Sequence, residues 1–129
     1  MTNPVWIGAG VVPSLLVSNM AETLDFYGRL GFRLSGIHPN AESPTWAQVS
    51  RDKVVFQFYT EPPQGTPSSP TCSGTLYIYP EDVIALAQEL KGKVTFAWGP
   101  EVMPYGMREF AVQDPNGYFV AFTEHVSES

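Results

Sequence analysis

The sequence predicts an α+β fold of two tandem units, each made of a strand, a helix and three further strands. The order of predicted elements repeats on either side of a segment rich in Pro, Ser, Thr and Gly. Each half also contains a late hairpin with an aspartate at its turn, Asp52 or Asp114. A chain of 129 residues has the size of a single domain. We predict one domain spanning the whole chain, with units at 1–60 and 74–129 and a linker at 61–73.

The elements of the first unit follow from capping residues and from the spacing of apolar residues. A strand is predicted at 11–17. Asn19 is predicted to cap a helix, because Glu22 follows three residues later as a capping box requires. Gly31 is a typical residue for the end of that helix. Three more strands are predicted at 32–37, 45–50 and 54–59.

The second unit repeats this order after the linker. A strand is predicted at 75–79. A helix is predicted to open at Pro80, with Glu81 and Asp82 in its first turn, where the helix dipole favours negative charge. Gly92 is predicted to end it. Further strands are predicted at 94–97, 107–113 and 118–124, and the last two are joined by the tight-turn sequence Asp114-Pro-Asn-Gly117.

The composition disfavours several classes of partner. The formal net charge is −6 and the pI is about 4.7, which disfavours nucleic acid and anionic membranes and is compatible with a cationic small molecule or simply with solubility. Cys72 is the single cysteine, so no internal disulfide is expected, and no activating neighbour marks it as catalytic. The apolar run 7–17 is too short to span a membrane and lacks a basic residue before it. We therefore expect a cytoplasmic protein.

Two stretches carry a resemblance to a known family. Residues 13–32 give a strand and a helix containing Phe26-Tyr27, and residues 105–124 give two strands joined at Asp114-Pro-Asn-Gly117. Together they resemble the glyoxalase/bleomycin-resistance/dioxygenase superfamily, also called vicinal-oxygen-chelate proteins. The resemblance covers nearly the whole chain. It implies two βαβββ modules forming an open half-barrel of about eight strands, with helices on the convex face and the site on the concave face.

The resemblance also locates the positions at which metal-bearing relatives hold their ion. Aligned onto this chain, these positions are Val12, Gln57, Thr75 and Ala121. Valine and alanine side chains cannot ligate a metal, and glutamine and threonine are weak neutral ligands. The resemblance therefore implies the metal-free branch of the superfamily, with no metal and no cofactor.

Strand alternation predicts which side chains face the concave side. The uniformly apolar sets should pack under the helices, and the mixed polar and aromatic sets should face the cavity. Metal-free relatives include a group that sequesters bleomycin-type antibiotics, in which aromatic rings stack on planar parts of the ligand. Trp98 is placed in a loop before the last hairpin. The candidate ligand-binding residues are Trp46, Gln57, Tyr59, Thr75, Tyr77, Trp98, Tyr105, Arg108, Phe119 and Ala121.

The run Gly106-Met-Arg-Glu109 is similar to runs in metal-free members. Arg108 could bind a ligand carboxylate, and Glu109 could contact a cationic ligand or take a proton. The alternative is an ion pair at the strand edge, contributing under roughly 1 kcal/mol. We favour this alternative for Glu109. The orientation of Arg108 stays open, because Phe110 and Val112 share its parity.

Three functional hypotheses follow. The first is a metal-independent, homodimeric binder of a small organic ligand, cationic and planar, that sequesters an antibiotic; the resemblance implies cavities built from both chains. The second is a metal-free isomerase or lyase that uses a carboxylate such as Glu109, or a tyrosine, as acid/base. The third is a metal enzyme with ligands at other positions. The two histidines, His38 and His125, are expected to be exposed and give the third hypothesis no support.

Overall fold

The computed structural model describes residue 5 and residues 10–126. Within this part of the chain the first module contains β1, α1 and three strands, and the second repeats the order. The elements are β1 (Ser14–Leu16), α1 (Met20–Arg29), β2 (Arg33–His38), β3 (Trp46–Arg51), β4 (Val54–Tyr59), β5 (Thr75–Ile78), α2 (Val83–Leu90), β6 (Phe96–Val102), β7 (Met107–Gln113) and β8 (Phe119–His125).

The strands form two open four-stranded sheets with the same topology. The orders are β1-β4-β3-β2 and β5-β8-β7-β6. In each sheet the first strand of the module pairs in parallel with the last, and the remaining pairs are antiparallel. The predicted α+β fold of two βαβββ modules is therefore confirmed. Neither helix within the described residues has both the length and the apolar character needed to cross a bilayer.

The first helix begins and ends at the predicted residues. The Asn19 side chain accepts a hydrogen bond from the Glu22 backbone N–H at 2.9 Å, so it satisfies a donor that the helix itself cannot satisfy. Gly31 follows the helix with a φ of 88°, a conformation that glycine adopts without steric cost.

Three elements have boundaries that differ from the prediction by two residues or more, and most other strand ends differ by one. Strand β1 begins at Ser14, so Val12 lies ahead of it. Helix α2 begins at Val83, because the Asp82 side chain accepts from the Ala85 backbone N–H at 2.9 Å and so acts as the N-cap. Strand β6 runs through Trp98, which was expected in a loop; register shifts on both sides of this residue let the pairing with β7 continue.

The core lies between the helices and one face of each sheet. Phe56 and Phe58 from β4 are buried there, as their alternation predicted, and Phe110 and Phe122 are the corresponding buried rings of the second sheet. Tyr27 from α1 is fully buried among them, with its ring centroid 4.8 Å from that of Phe58. The opposite face of each sheet does not pack against the helices and is therefore the place to look for a binding site.

The hairpin turn at Asp114 is bound to the first module through a buried carboxylate. The Tyr27 hydroxyl donates to Asp114 Oδ2 at 2.9 Å. The backbone N–H groups of Asn116 and Tyr118 donate to Asp114 Oδ1 at 2.8 and 2.9 Å. The turn sequence that carried the family resemblance therefore has a structural role, since it joins β7 and β8 to helix α1.

The same turn makes further contacts with the first module. Asn116 Oδ1 accepts from the Ser18 backbone N–H, and Asn116 Nδ2 donates to Thr23 Oγ1, both at 3.0 Å. The Tyr118 hydroxyl donates to the Leu16 carbonyl at 2.9 Å. Side chains of the turn thus fix the position of the second module relative to the first.

The stability contributed by Asp114 is expected to depend on pH. Burial raises the pKa of this carboxyl above its usual range, although the hydrogen bonds it accepts oppose the shift. A carboxyl whose pKa is raised by folding stabilises the protein below its unfolded pKa, and the contribution is lost as pH rises through the folded pKa. Urea unfolding from about pH 3 to about pH 7 should show wild type losing stability relative to Asp114→Asn as pH rises. A difference that stays constant across that range would contradict this assignment.

Candidate functional site

The predicted residues of the first sheet share one face. Trp46 lies opposite Tyr59, and Gln48 lies opposite Gln57, on β3 and β4. Gln57 Nε2 donates to Gln48 Oε1 at 3.1 Å, and Gln48 Nε2 donates to Ser35 Oγ at 3.2 Å. We call this set, Ser35, Trp46, Gln48, Gln57 and Tyr59, the sheet-one face. It combines two half-buried aromatic rings with two hydrogen-bonded glutamine side chains.

A second set shares the equivalent face of the other sheet. Thr75 lies opposite Phe119, and Tyr77 lies opposite Ala121. The rings of Trp98 and Phe119 pack with centroids 5.7 Å apart and planes tilted by 38°. We call this set the sheet-two face; its members are Thr75, Tyr77, Trp98, Glu109, Ala111, Phe119, Ala121 and Thr123.

Glu109 belongs to the sheet-two face, where it lies opposite Thr123, and the expectation of a strand-edge ion pair was wrong. The residue is fully buried. Its carboxylate accepts hydrogen bonds from Trp98 Nε1 at 2.9 Å, from the Tyr105 hydroxyl at 2.6 Å and from Thr123 Oγ1 at 3.4 Å. Alternation along β7 could have located it, because the apolar Phe110 faces the core and its neighbour must therefore face the other way.

Tyr105 covers the Glu109 carboxylate from the solvent side. It lies in the turn between β6 and β7, where Gly106 has a φ of 80°, and 57% of its surface is exposed. The pKa of the Tyr105 hydroxyl is raised, first by its hydrogen bond to Glu109 and further by desolvation and by the Tyr77 hydroxyl. The hydroxyl therefore keeps its proton at neutral pH and donates it to the carboxylate.

Arg108 lies on the opposite side of β7 from Glu109. Its side chain approaches Glu124 Oε1 at 3.4 Å, on the face that also carries the core residues Phe110 and Phe122. The ion pair of this segment therefore forms at Arg108, and the structure does not bring Arg108 onto the sheet-two face. Arg108 and Phe110 are two residues apart on β7, so they share a face, and the structure shows that this face is the one on the core side.

The four positions aligned with metal ligands are divided between different parts of the fold. Val12 precedes β1, Gln57 belongs to the sheet-one face, and Thr75 and Ala121 belong to the sheet-two face. Among residue 5 and residues 10–126, no three or more His, Cys, Asp or Glu residues are grouped so that they could hold a metal ion. The two histidines are exposed at strand ends.

The two faces are separate clusters of side chains within the chain. Across the described residues, no hydrogen bond or aromatic ring contact joins a member of the sheet-one face to a member of the sheet-two face. A cavity of about 570 Å³ lies elsewhere, between the β3–β4 turn and the start of α2, and no predicted site residue lines it. Tyr59 lines a smaller cavity of about 200 Å³ beside Tyr118.

Comparison with known proteins identifies the family of this chain. The model of the Glyoxalase/Bleomycin resistance protein/Dioxygenase superfamily matches residues 9–122. No curated protein sequence matches the chain.

Solved structures with the same fold come from several bacteria. TioX from Micromonospora sp. ML1 is 20% identical with a TM-score of 0.71, over 89% of this chain and 97% of that one. TnmS3, an antibiotic binding protein from Streptomyces sp. CB03234, is 25% identical with a TM-score of 0.66, over 88% and 93%. The bleomycin-binding protein of Streptomyces verticillus, solved with copper(II)-bleomycin, is 24% identical with a TM-score of 0.66, over 99% and 100%.

Proposed function

Because this chain belongs to the Glyoxalase/Bleomycin resistance protein/Dioxygenase superfamily, we propose that it is a metal-independent small-molecule-binding protein that sequesters an antibiotic. The observation that carries the proposal is the sheet-two face, where the rings of Trp98 and Phe119 pack together and three neutral groups donate to the Glu109 carboxylate. Such a combination binds planar organic ligands, since rings supply stacking and a few polar groups fix orientation. The likeness to TnmS3, an antibiotic binding protein, supports the same class of ligand.

Metal independence is supported by the residues at the four aligned positions. A divalent ion that activates a substrate oxygen requires carboxylate, imidazole or thiolate ligands. Val12 and Ala121 offer no ligand atom in their side chains, and Gln57 and Thr75 offer neutral oxygens only. The binding that we propose therefore depends on shape, stacking and hydrogen bonding.

A homodimer accounts for the separation of the two faces. A two-fold axis that brings the sheet-one face of one copy against the sheet-two face of the other creates two equivalent cavities, each with residues from both chains. Trp46 and Tyr59 would then provide one wall, and Trp98 and Phe119 the other. This arrangement is part of the proposal.

A second candidate function rests on the Tyr105–Glu109 pair. A buried carboxylate 2.6 Å from a tyrosine hydroxyl is a feature of acid/base sites. On this alternative the protein is a metal-free isomerase or lyase, and Glu109 accepts a substrate proton. Mass spectrometry of a bound ligand recovered after long incubation separates the two functions, since a binder returns it unchanged.

Removal of the Trp98 ring should weaken ligand binding. Trp98→Ala is expected to reduce bleomycin affinity by about 1–3 kcal/mol, because a buried aromatic anchor contributes that much to an interface. Trp46→Ala should have a similar effect if the opposite wall comes from the sheet-one face. Isothermal titration calorimetry measures both, and Ile84→Ala, which removes a partly exposed apolar side chain from α2, is the control. Unchanged affinity in both tryptophan variants would remove these faces from the site.

A further inference from the structure

We propose that Glu109 is the counter-charge for a protonated amine on the ligand, and that this amine replaces the Tyr105 hydroxyl on the Glu109 carboxylate. The inference rests on the proposed binding function and specifies the chemistry of the ligand. It assigns separate roles to two neighbouring side chains. Glu109 selects a positively charged ligand, and the Tyr105 hydroxyl donates a hydrogen bond to the Glu109 carboxylate while no ligand is bound.

The first argument is that Glu109 is buried without a positive partner. Its side chain is fully buried, and the three groups that donate to it are neutral. The salt bridges among residues 10–126 are Arg29–Asp25, Arg51–Glu89 and Arg108–Glu124, and none involves Glu109. Charged groups inside proteins are normally paired, because desolvation of an unpaired charge is costly. The face that we propose for ligand binding therefore offers an uncompensated carboxylate.

The second argument is that the fold does not need the charge at this position. A glutamine in the same place could accept from Trp98 Nε1 through its amide oxygen. Its NH₂ group could donate to the Tyr105 and Thr123 hydroxyls, which act as acceptors as well as donors. Because a neutral side chain of the same shape satisfies all three neighbours, the carboxylate is better explained by a partner from outside the chain.

The third argument concerns access to the carboxylate. Trp98 holds Oε2, whereas the hydrogen bond to Oε1 comes chiefly from Tyr105, an exposed residue in the short turn between β6 and β7. In the exchange that we propose, the Tyr105 side chain rotates away from the carboxylate and Oε1 becomes accessible. A group that needs one oxygen, such as an ammonium, suits this site better than a guanidinium, which pairs with both oxygens of a carboxylate.

A pair of probes that differ only in charge tests the inference. The two are 1-pyrenemethylamine, which is protonated at neutral pH, and 1-pyrenemethanol, its neutral analogue; pyrene fluorescence reports binding of each. The wild-type protein should bind the amine more tightly than the alcohol. Glu109→Gln should weaken binding of the amine by about tenfold or more, because it removes a hydrogen bond to a charged group. Binding of the alcohol should stay unchanged. Asp25→Asn removes an equal charge from the exposed surface of α1 and should change neither.

Tyr105→Phe provides an opposite prediction. It removes the hydroxyl that competes for Oε1, so affinity for the amine should increase while affinity for the alcohol stays the same. Weaker or unchanged amine binding in this variant would overturn the exchange of Tyr105 for the ligand.

The outcomes separate this inference from the proposed function. If the protein binds bleomycin but does not prefer the amine, or if Glu109→Gln leaves that preference intact, the role of Glu109 is overturned and the binding function stands. If neither bleomycin nor either pyrene binds, both fail together.

Discussion

Replacement of Asp114 by alanine is expected to lower the free energy of unfolding by about 3 kcal/mol or more. The substitution leaves three buried or partly buried donors without an acceptor: the Tyr27 hydroxyl and the backbone N–H groups of Asn116 and Tyr118. Each unsatisfied buried donor costs about 1–3 kcal/mol. The loss should be large because these contacts also join the second module to helix α1.

Urea unfolding followed by circular dichroism measures the effect, and Tyr27→Phe is the matched variant. It removes one hydrogen bond and leaves the Asp114 contacts to the backbone, so its cost should be about 1 kcal/mol. If Asp114→Ala were no more destabilising than Tyr27→Phe, the turn would not have the structural role described here.

Replacement of Gly99 by alanine is expected to destabilise the protein by about 3 kcal/mol and to disturb the sheet-two face. Gly99 has a φ of 74°, in the left-handed region that costs other residues about 1–2 kcal/mol. An added Cβ would also lie against the carbonyl oxygen of Glu109 and 2.9 Å from the Phe110 Cα, both on the neighbouring strand. Strand β6 would have to move away from β7 and carry Trp98 with it.

Gly92→Ala separates the two contributions to this effect. Gly92 has a similar φ of 82°, but an added Cβ there has no neighbour within 4 Å. Gly92→Ala should therefore lower the free energy of unfolding only by the cost of the positive φ, about 1 kcal/mol, and should leave ligand binding unchanged. Equal losses of stability in the two variants would show that close contact between β6 and β7 does not constrain Gly99.

Much of the fold could be predicted because its signals are local. The Asn19 cap and the alternation along β4 depend on residues that are close in sequence, and the Asp114 turn follows from the residues of the turn alone. The same locality explains the errors at boundaries. Asp82 can either open a helix within its first turn or cap it from outside, and only the backbone around it decides between them.

The candidate site was harder to predict because it depends on contacts between strands. Alternation correctly grouped Trp46 with Tyr59 and Tyr77 with Thr75, since pairing between neighbouring strands preserves faces. The contact between Trp98 and Glu109 requires the register shifts in β6, which the sequence pattern does not reveal. Whether the two faces meet within one chain depends on the placement of whole sheets, for which no short motif provides a signal.

Native mass spectrometry of the chelator-treated protein, with and without bleomycin, tests the central claim most directly. We expect the mass of two chains without a metal ion, and the addition of up to two intact bleomycin molecules per dimer. A metal ion retained by each chain, a bleomycin of altered mass, or the absence of any complex would contradict binding without metal and without chemical turnover.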